Sequence, residues 1–314
     1  MVIIGGGVIG VATALFLARR NISVTLLEKG RIAAEQSSRN WGWIRKQGRD
    51  ADELPIVIEA SRHWRQLAEE CGEDIGLKQT GVTYLAGSDR EMARFEKFLK
   101  IAAAHEIDTR LLNARETAGL IKGMSRSFKG AMTTPSDMRA EPWLAVPALA
   151  RLAARKGVKI VENCAARALE ISAGRIRGVW TEAGHIETSS VLLAGGAWSS
   201  LFLRRHGVSI PQLSVRSTVA ATEAMPEVYA GAAAGEHIAF RRRQDGGYTL
   251  PEAVICFTLA QTHSGMRRNT FPRLWPILSA HAIRRLRRRA TRMAGRRRVT
   301  GRRIRKVLSK QCGC

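Results

Sequence analysis

Residues 1–30 read MVIIGGGVIGVATALFLARRNISVTLLEKG. Within this stretch Gly5, Gly7 and Gly10 have the spacing G-x-G-x-x-G. The apolar residues around them predict a short strand over Val2–Ile4 and a helix over Val11–Arg20. Because glycine lacks a Cβ atom, glycines between a strand and a helix predict a tight turn in which backbone atoms approach closely.

A second strand is predicted over Ser23–Leu27, and it ends at Glu28, eighteen residues after Gly10. Strand, glycine turn, helix, strand and acid in this order are typical of a dinucleotide-binding fold. In that fold Gly5 permits the turn, Gly7 lets the backbone approach a pyrophosphate, and Gly10 lets helix and strand pack closely. The helix N-terminus attracts the pyrophosphate. An acid at Glu28 would bind an unphosphorylated ribose, which favours FAD or NAD over NADP.

The uncharged segment Met1–Ala18 has two alternative interpretations, a signal peptide and a membrane span. A signal peptide has a basic segment before its apolar stretch, and this sequence has none. Three adjacent glycines are also unfavourable for a spanning helix. We therefore predict a cytoplasmic protein with no transmembrane segment. Its cysteines are expected to be reduced thiols, because they show neither a CxxC pair nor regular spacing. They are Cys71, Cys164, Cys256, Cys312 and Cys314.

The 314-residue chain has a formal net charge of +24, which is concentrated at one end. Residues 241–314 contain twenty lysines and arginines and two acids, a balance of +18. The first 240 residues contain 31 basic and 25 acidic side chains, a balance of +6. With 45% hydrophobic residues overall, the larger part is typical of a moderately basic globular protein, not of a domain that binds a specific nucleic acid.

A polar loop with two tryptophans follows the second strand. Its serine, arginine and asparagine side chains offer donors and acceptors for a phosphate or a flavin ring. A solvated loop with a half-buried indole is the alternative interpretation. We favour a loop near the dinucleotide, because it follows the ribose-binding strand closely. The candidate binding residues are Ser37, Ser38, Arg39, Asn40, Trp41 and Gly42.

The G-G-G-V-I-G turn, the acid at Glu28 and the S-S-R-N-W-G loop resemble the FAD-dependent family of D-amino-acid oxidase, glycine oxidase and sarcosine oxidase. The resemblance implies an extended FAD, with the loop near its pyrophosphate and ring. The sequence V-L-L-A-G-G-A-W-S at Val191–Ser199 resembles the family's second flavin signature, in which a returning strand and its glycines approach the cofactor. An ordinary turn is the alternative for these glycines. The further cofactor contacts that the resemblance implies are Ala166 beside the adenine, Gly195, Gly196 and Trp198.

The resemblance and the order of the elements predict an α/β protein with two domains. The first is a discontinuous Rossmann-type FAD-binding domain, residues 1–85 and 140–212, with a parallel sheet and a β-meander. The second is an inserted antiparallel α+β substrate domain, residues 86–139 and 213–260, which would be incomplete. Residues 261–314 are predicted to be a disordered basic tail outside the fold.

The resemblance extends to about Leu250. Family members continue with further strands and a G-H-G-x-x-G-like loop that closes over the flavin, and nothing after Pro251 matches that pattern. Gly265–Cys314 contains seventeen lysines and arginines and no acid. One interpretation is a basic arm for nucleic acid or an anionic membrane. We favour a lost reading frame, because the arginine-rich sequence begins where a required element is missing.

The implied reaction is oxidation of a C–N bond in a small amine or amino acid, with hydride transfer to flavin. The cofactor carries the difficult step, so neither a catalytic triad nor a metal site is required. The seven histidines are scattered without ligand spacing. A substrate carboxylate would need an arginine clamp, for which Arg45 and Arg241 are the candidates. A surface arginine is the alternative for each.

Three alternatives remain open from the sequence. The first is the same oxidoreductase inactivated by its altered C-terminus. The second is an NAD-linked Rossmann dehydrogenase, which a yellow, flavin-containing protein would exclude. The third is a polyanion-binding protein that acts through its arginine-rich segment.

Overall fold

The structure is a computed structural model that describes residues 1–212, 216–236 and 239–256, without the side chains of 216–218 and 251–256. The α-helices over these residues are α1 Val8–Ala18, α2 Gln36–Arg39, α3 Leu54–Cys71, α4 Asp89–Ala104, α5 Ala114–Leu120, α6 Pro142–Arg155 and α7 Ser199–Arg204. The strands are β1 Val2–Ile4, β2 Thr25–Leu27, β3 Trp43–Ile44, β4 Lys78–Gln79, β5 Val82–Ala86, β6 Arg110–Asn113, β7 Gly130–Thr134, β8 Met138–Arg139, β9 Lys159–Val161, β10 Ala166–Ser172, β11 Arg175–Thr181, β12 Gly184–Glu187, β13 Val191–Leu193, β14 Arg216–Ala221, β15 Ala232–Ala234, β16 Ala239–Arg242 and β17 Tyr248–Cys256.

Four short strands form a parallel sheet in the order β13-β1-β2-β9. In its register Val2 of β1 lies opposite Thr25 of β2 on one side and Val191 of β13 on the other. Helices α1 and α6 contribute to the core that buries one face of the sheet, and its members include Ile3, Leu15, Leu26 and Leu149. Strands covered in this way are apolar at successive positions, as β1 is.

Helix α1 begins at Val8, three residues before the predicted start at Val11, and it ends at Ala18. Gly7 is its N-cap, and Gly10 therefore lies inside the helix and not in the turn. The helix starts early because Val11 N already donates to Gly7 O at 3.0 Å. The prediction treated all the glycines as turn residues, whereas the turn needs only those before Val8.

Strands β10, β11 and β12 form an antiparallel three-stranded meander. Val179 of β11 is fully buried in a cluster with Val2, Ile4 and Leu27 of the parallel sheet. The meander therefore packs on that sheet. The predicted α/β class, with a Rossmann-type parallel sheet and a β-meander, is confirmed.

The larger sheet has seven strands in the order β14-β17-β16-β15-β5-β7-β6. Strands β15 and β5 are parallel, with Ala232 opposite Val82, while the other described pairs are antiparallel. The sheet is thus mainly antiparallel, as predicted, with one parallel pair among the described strands. The predicted domain boundary at residue 85 also falls inside β5, all of which belongs to this sheet.

A third, small sheet has the order β3-β8-β4 and connects the polar loop to the rest of the fold. Trp43 of β3 lies opposite Arg139 of β8, and Lys78 of β4 lies on the other side of Arg139. Strands β4 and β5, which are neighbours in the chain, therefore pair with different strands and not with each other.

The predicted basic tail, residues 261–314, lies outside the described residues, and so do Cys312 and Cys314. Among the helices that the structure describes, none is long and apolar enough to span a bilayer. Over the same part of the chain, no group of three histidine, cysteine, aspartate or glutamate side chains is arranged to hold a metal ion.

Candidate functional site

The glycine turn after β1 is packed so closely that it excludes side chains. Gly5 has φ +116°, and a Cβ atom there would lie 2.3 Å from the carbonyl oxygen of Ala194. A Cβ atom on Gly10 would lie 1.9 Å from the carbonyl oxygen of Gly5. Two of the three predicted glycines are therefore required by the fold itself, because they let β1, α1 and the segment after β13 meet.

Gly7 differs from these two, because the space beside it is open. A Cβ atom on Gly7 would have Ser37 Oγ, at 3.1 Å, as its one neighbour within 4 Å among the described residues. Val8 N, in the first turn of α1, donates to Ser37 Oγ at 2.9 Å. The structure thus brings the predicted loop residue Ser37 against the start of the helix that the glycine turn leads into.

Glu28, at the end of β2, is nearly buried and points at the glycine turn. Its Oε2 accepts a hydrogen bond from Gly6 N at 2.7 Å, and its Oε1 accepts one from Gly30 N at 2.8 Å. The chain around it is held in turn, since Cys164 N donates to Glu28 O at 2.9 Å. Gly6 was not predicted as a site residue, although a Cβ atom there would lie 3.0 Å from the Cβ of Glu28.

The predicted loop is stabilised by its own side chains. Ser38 Oγ donates to Glu35 O at 3.2 Å, and Arg39 forms an exposed ion pair with Glu35 at 3.5 Å. Asn40 Oδ1 accepts from Gly42 N at 2.7 Å and closes the loop. The loop therefore has a defined shape that ends at β3.

At the end of the loop, Trp41 packs against Trp43, with 5.3 Å between the ring centroids. The indole nitrogen of Trp43 is buried and has no hydrogen-bond partner among the residues that the structure describes. Gly42 has φ +66°, and a Cβ atom there would lie 2.3 Å from the carbonyl oxygen of Ala140. A residue with a side chain would therefore push the loop away from β8.

The second signature follows β13, beside the glycine turn. Gly195 and Gly196 lead into a 3₁₀ turn over Gly196–Trp198, and Trp198 is 42% exposed. Lys29 Nζ lies 3.9 Å from the centroid of the Trp198 ring, so this signature contacts the residue after Glu28. Ala166 lies at the start of β10, opposite Thr181. Ala166 comes two residues after Cys164, whose backbone nitrogen donates to Glu28 O.

Arg45 and Arg241, the two candidates for a carboxylate clamp, have different environments. The Arg45 guanidinium is half-buried, donates to Gln47 O and lies 5.7 Å from the ring centroid of Tyr84. Arg241 has no exposed area, and its Nη2 donates to Glu141 Oε2 at 2.8 Å. Because its charge is already paired inside the protein, the prediction that Arg241 holds a substrate carboxylate is corrected.

A buried polar group that was not predicted lies next to Arg45. Asp137 accepts from Lys46 N at 2.8 Å and from Gln47 N at 3.2 Å, and its side chain has no exposed area. Burial raises the pKa of Asp137 from 3.8 to about 6, although both hydrogen bonds oppose the rise. No local pattern predicts this group, since Asp137 is 91 residues from Lys46.

A cavity of about 400 Å³ lies on the seven-stranded sheet, and Leu85 and Phe240 are among the residues that line it. Neighbouring residues of a strand point to opposite faces. Tyr84, which lies under Arg45, and Arg241 therefore belong to the other face. The cavity is consequently separate from the region around Arg45 and the polar loop.

Comparisons with known proteins agree with this geometry. The sequence profile of the family described as "FAD dependent oxidoreductase" matches residues 1–311. Sarcosine dehydrogenase of Mus musculus is 28% identical over 235 residues, which are 71% of this chain and 25% of that protein. Sarcosine oxidase subunit beta of Arthrobacter sp. is 30% identical over 219 residues, 67% of this chain and 54% of that protein. L-amino acid deaminase from Proteus myxofaciens, solved with anthranilate, has 33% identity and a TM-score of 0.77 over 81% of this chain and 58% of its own.

These matches also set limits. The chain spans a quarter of sarcosine dehydrogenase and a little over half of sarcosine oxidase subunit beta. From its motifs, the resemblance was predicted to end at about Leu250. That prediction is wrong, because the family profile continues to residue 311. Because the profile matches nearly the whole chain, and because Glu28 and the glycine turn have the geometry that its motifs predict, the chain belongs to the family of FAD-dependent oxidoreductases.

Proposed function

We propose that this chain binds FAD along the glycine turn and oxidises a C–N bond of an amine or amino acid. The observation that carries the proposal is the position of Glu28, whose carboxylate is fixed by Gly6 N and Gly30 N beside the start of α1. A carboxylate has about four acceptor sites, so about two remain after these bonds. They suit the two hydroxyls of an unphosphorylated ribose.

The residues around Gly7 fit a pyrophosphate. The open space at Gly7 lies at the N-terminus of α1, where backbone N–H groups and the helix dipole attract negative charge. None of the residues in the first turn of α1 is acidic, so no side chain there opposes an anion. Ser37 would support this contact. Its Oγ accepts from Val8 N and therefore lies at the same start of α1.

We place the flavin end of the cofactor between the polar loop and the second signature. The loop is held in shape by Asn40 and ends at Gly42, while Lys29 brings Trp198 towards the ribose-binding acid. The proposed FAD contacts are Gly5, Gly7, Gly10, Glu28, Ser37, Ser38, Arg39, Asn40, Trp41, Gly42, Ala166, Gly195, Gly196 and Trp198.

FAD would supply the acceptor for the hydride that leaves the carbon next to the substrate nitrogen. The chain's own residues would bind the substrate, orient that carbon and exclude water. Arg45 is the proposed clamp for a carboxylate, because its guanidinium is half-buried and held by Gln47 O. The names of the relatives support an amino-acid substrate, since they refer to sarcosine and to L-amino acids.

We further propose that purified protein carries less than one FAD per chain, with correspondingly low activity. The reason is that the sequence after Pro251 lacks the G-H-G-x-x-G-like loop that would cover the flavin. The glycine turn and Glu28 would still hold the ADP half of the cofactor. The ring would then be more open to water, and FAD would dissociate more readily.

The test is to identify the dinucleotide and then the substrate. Protein purified as the full chain is denatured, and the released cofactor is identified by its absorbance spectrum and mass. We expect FAD below stoichiometry, rising towards one per chain when FAD is added in excess. The reconstituted protein is then assayed with sarcosine and L-amino acids, each paired with the amine that lacks its carboxylate. Release of NAD, or failure to take up added FAD, would refute the proposal.

A further inference from the structure

A buried carboxylate, Glu141, joins two arginines from different sheets. Its Oε1 accepts from Arg139 Nη1 at 2.9 Å, and its Oε2 accepts from Arg241 Nη2 at 2.8 Å. The side chains of Glu141 and Arg241 have no exposed area, and that of Arg139 is 5% exposed. Oε1 also accepts from Gln244 N at 2.7 Å. This group therefore connects β8, the start of α6 and the β16–β17 turn.

Two guanidinium groups share the buried carboxylate of Glu141. Burial lowers the pKa of Arg139, and the neighbouring Arg241 lowers it further, while Glu141 opposes both effects. Removing one partner from such a group leaves a buried charge without compensation. Each arginine therefore depends on Glu141 to compensate its buried charge.

Arg241 also reaches the polar loop through the backbone of one residue, Ala140. Its Nη1 donates to Ala140 O at 3.2 Å, and Ala140 N donates to Gly42 O at 2.9 Å. Gly42 is the last of the loop residues proposed to contact the flavin. The backbone of Ala140 is thus held at its carbonyl oxygen by Arg241 and at its nitrogen by Gly42.

We infer that Arg241 is a positioning residue, which fixes Ala140 and through it holds Gly42 and the loop Ser37–Gly42 in the shape that binds the flavin end of FAD. The inference rests on the proposed function, because that function places the loop at the flavin. Arg241 acts through Ala140 and Gly42 and does not itself touch the cofactor. The role also accounts for a buried arginine on β16 of the seven-stranded sheet.

The first test is Arg241→Lys, which keeps the charge but replaces the planar fork by a single ammonium group. A single ammonium group cannot reproduce the two separate nitrogens with which Arg241 donates to Glu141 and to Ala140 O. We expect the loss of about one buried hydrogen bond to raise the Kd for FAD by about tenfold. The Kd for ADP should change by less than about twofold, because the effect is confined to the loop. FAD is titrated by its fluorescence and ADP by calorimetry.

Arg242→Lys is the matched control. Arg242 is the next residue on the strand and therefore points to the other face, where Nη1 donates to Met225 O and to Tyr248 Oη, each at 3.2 Å. This variant should leave both affinities unchanged. Equal losses of FAD and ADP affinity in Arg241→Lys would indicate a general loss of structure and would overturn the inference, as would an unchanged affinity for FAD.

A second variant keeps the test decisive if Arg241→Lys does not fold. Gly42→Ala disturbs the same contact from the loop, because its Cβ atom would lie 2.3 Å from Ala140 O. It should give the same selective loss of FAD. If the unmodified chain binds no FAD, the proposed function fails. The conformation of the loop is then measured without cofactor, as the rate of tryptic cleavage after Arg39. Faster cleavage in Arg241→Lys than in Arg242→Lys would support the inference, and equal rates would overturn it.

Discussion

The carboxylate of Glu28 accepts a 2.7 Å hydrogen bond from the backbone nitrogen of Gly6, twenty-two residues earlier in the chain. The bond joins the end of β2 to the turn after β1, so the acid that is proposed to bind ribose also shapes the turn that is proposed to bind pyrophosphate. A substitution at Glu28 should therefore affect both parts of the site.

We predict that Glu28→Gln weakens FAD binding by about 1–3 kcal/mol, because one amide oxygen replaces two acceptor oxygens that face donors. The Kd for FAD, measured by fluorescence titration, would rise by about fivefold to more than a hundredfold. Glu162→Gln is the control, since Glu162 accepts a backbone hydrogen bond from Ile32 N at 2.6 Å at an exposed position. Unchanged FAD affinity in Glu28→Gln would contradict the assignment of this acid.

Gly7→Val is predicted to abolish FAD binding while the protein remains folded. The side chain would occupy the open space at the start of α1, where Ser37 Oγ is the one described neighbour. Bound flavin in the purified variant gives the measurement, and circular dichroism shows whether it is folded. Gly119→Val is a control of equal size, because a Cβ atom there has no described neighbour within 4 Å.

Gly10→Ala should give the opposite result and lower the stability of the whole protein. Its Cβ atom would overlap the carbonyl oxygen of Gly5 at 1.9 Å, so the backbone of the turn or of α1 must move. Overpacking of this kind costs about 1–3 kcal/mol or more. If Gly7→Val unfolded the protein as Gly10→Ala does, the distinction between a binding glycine and a packing glycine would be wrong.

The parts of the site that were predictable are those encoded in a contiguous stretch. The glycine turn and Glu28 lie within thirty residues, and each residue type has one main physical reason to be there. The early start of α1 was missed because Gly10 was assigned to the turn, although its packing needs a glycine inside the helix just as much. Local sequence does not separate these two positions.

The interactions that were missed join distant segments. Glu141 and Arg241 are 100 residues apart, and charged residues are usually found at the surface, so neither residue indicated a buried pair. The same applies to the parallel pairing of β5 with β15, which joins Val82 to Ala232. Pairing of this kind depends on how the whole chain folds back on itself.

The buried carboxyl of Asp137 makes stability depend on pH. Its pKa is about 6 in the folded protein and 3.8 as its ordinary value, so between these values the folded state binds more protons than the unfolded state. Stability should therefore rise as the pH falls through 6. From pH 7 to pH 5 this group alone contributes a gain of about 1 kcal/mol.

We predict that this gain is absent in Asp137→Asn, which cannot titrate. Urea unfolding gives the free energy of unfolding of the unmodified chain and of the variant at pH 7 and at pH 5. The gain is the change with pH in the difference between these two free energies. Asp89→Asn is the control, because the Asp89 side chain is 86% exposed. A difference between the unmodified chain and Asp137→Asn that stays constant with pH would show that Asp137 does not titrate in this range.

The last prediction concerns the substrate, for which Arg45 is the remaining candidate clamp. Its guanidinium is half-buried and held by Gln47 O and the ring of Tyr84, so it can stay in place without a substrate. A hydrogen bond to a charged group contributes about 1.5–3 kcal/mol. In protein reconstituted with FAD, Arg45→Gln should lower kcat/KM for an amino acid by about tenfold to more than a hundredfold. The value for the corresponding amine without a carboxylate should be nearly unchanged, because the lost interaction is absent from that substrate.

Arg62→Gln on α3, an exposed arginine paired with Glu59, should change neither value. Equal losses for the amino acid and the amine would mean that Arg45 supports the loop or the flavin and does not recognise the carboxylate.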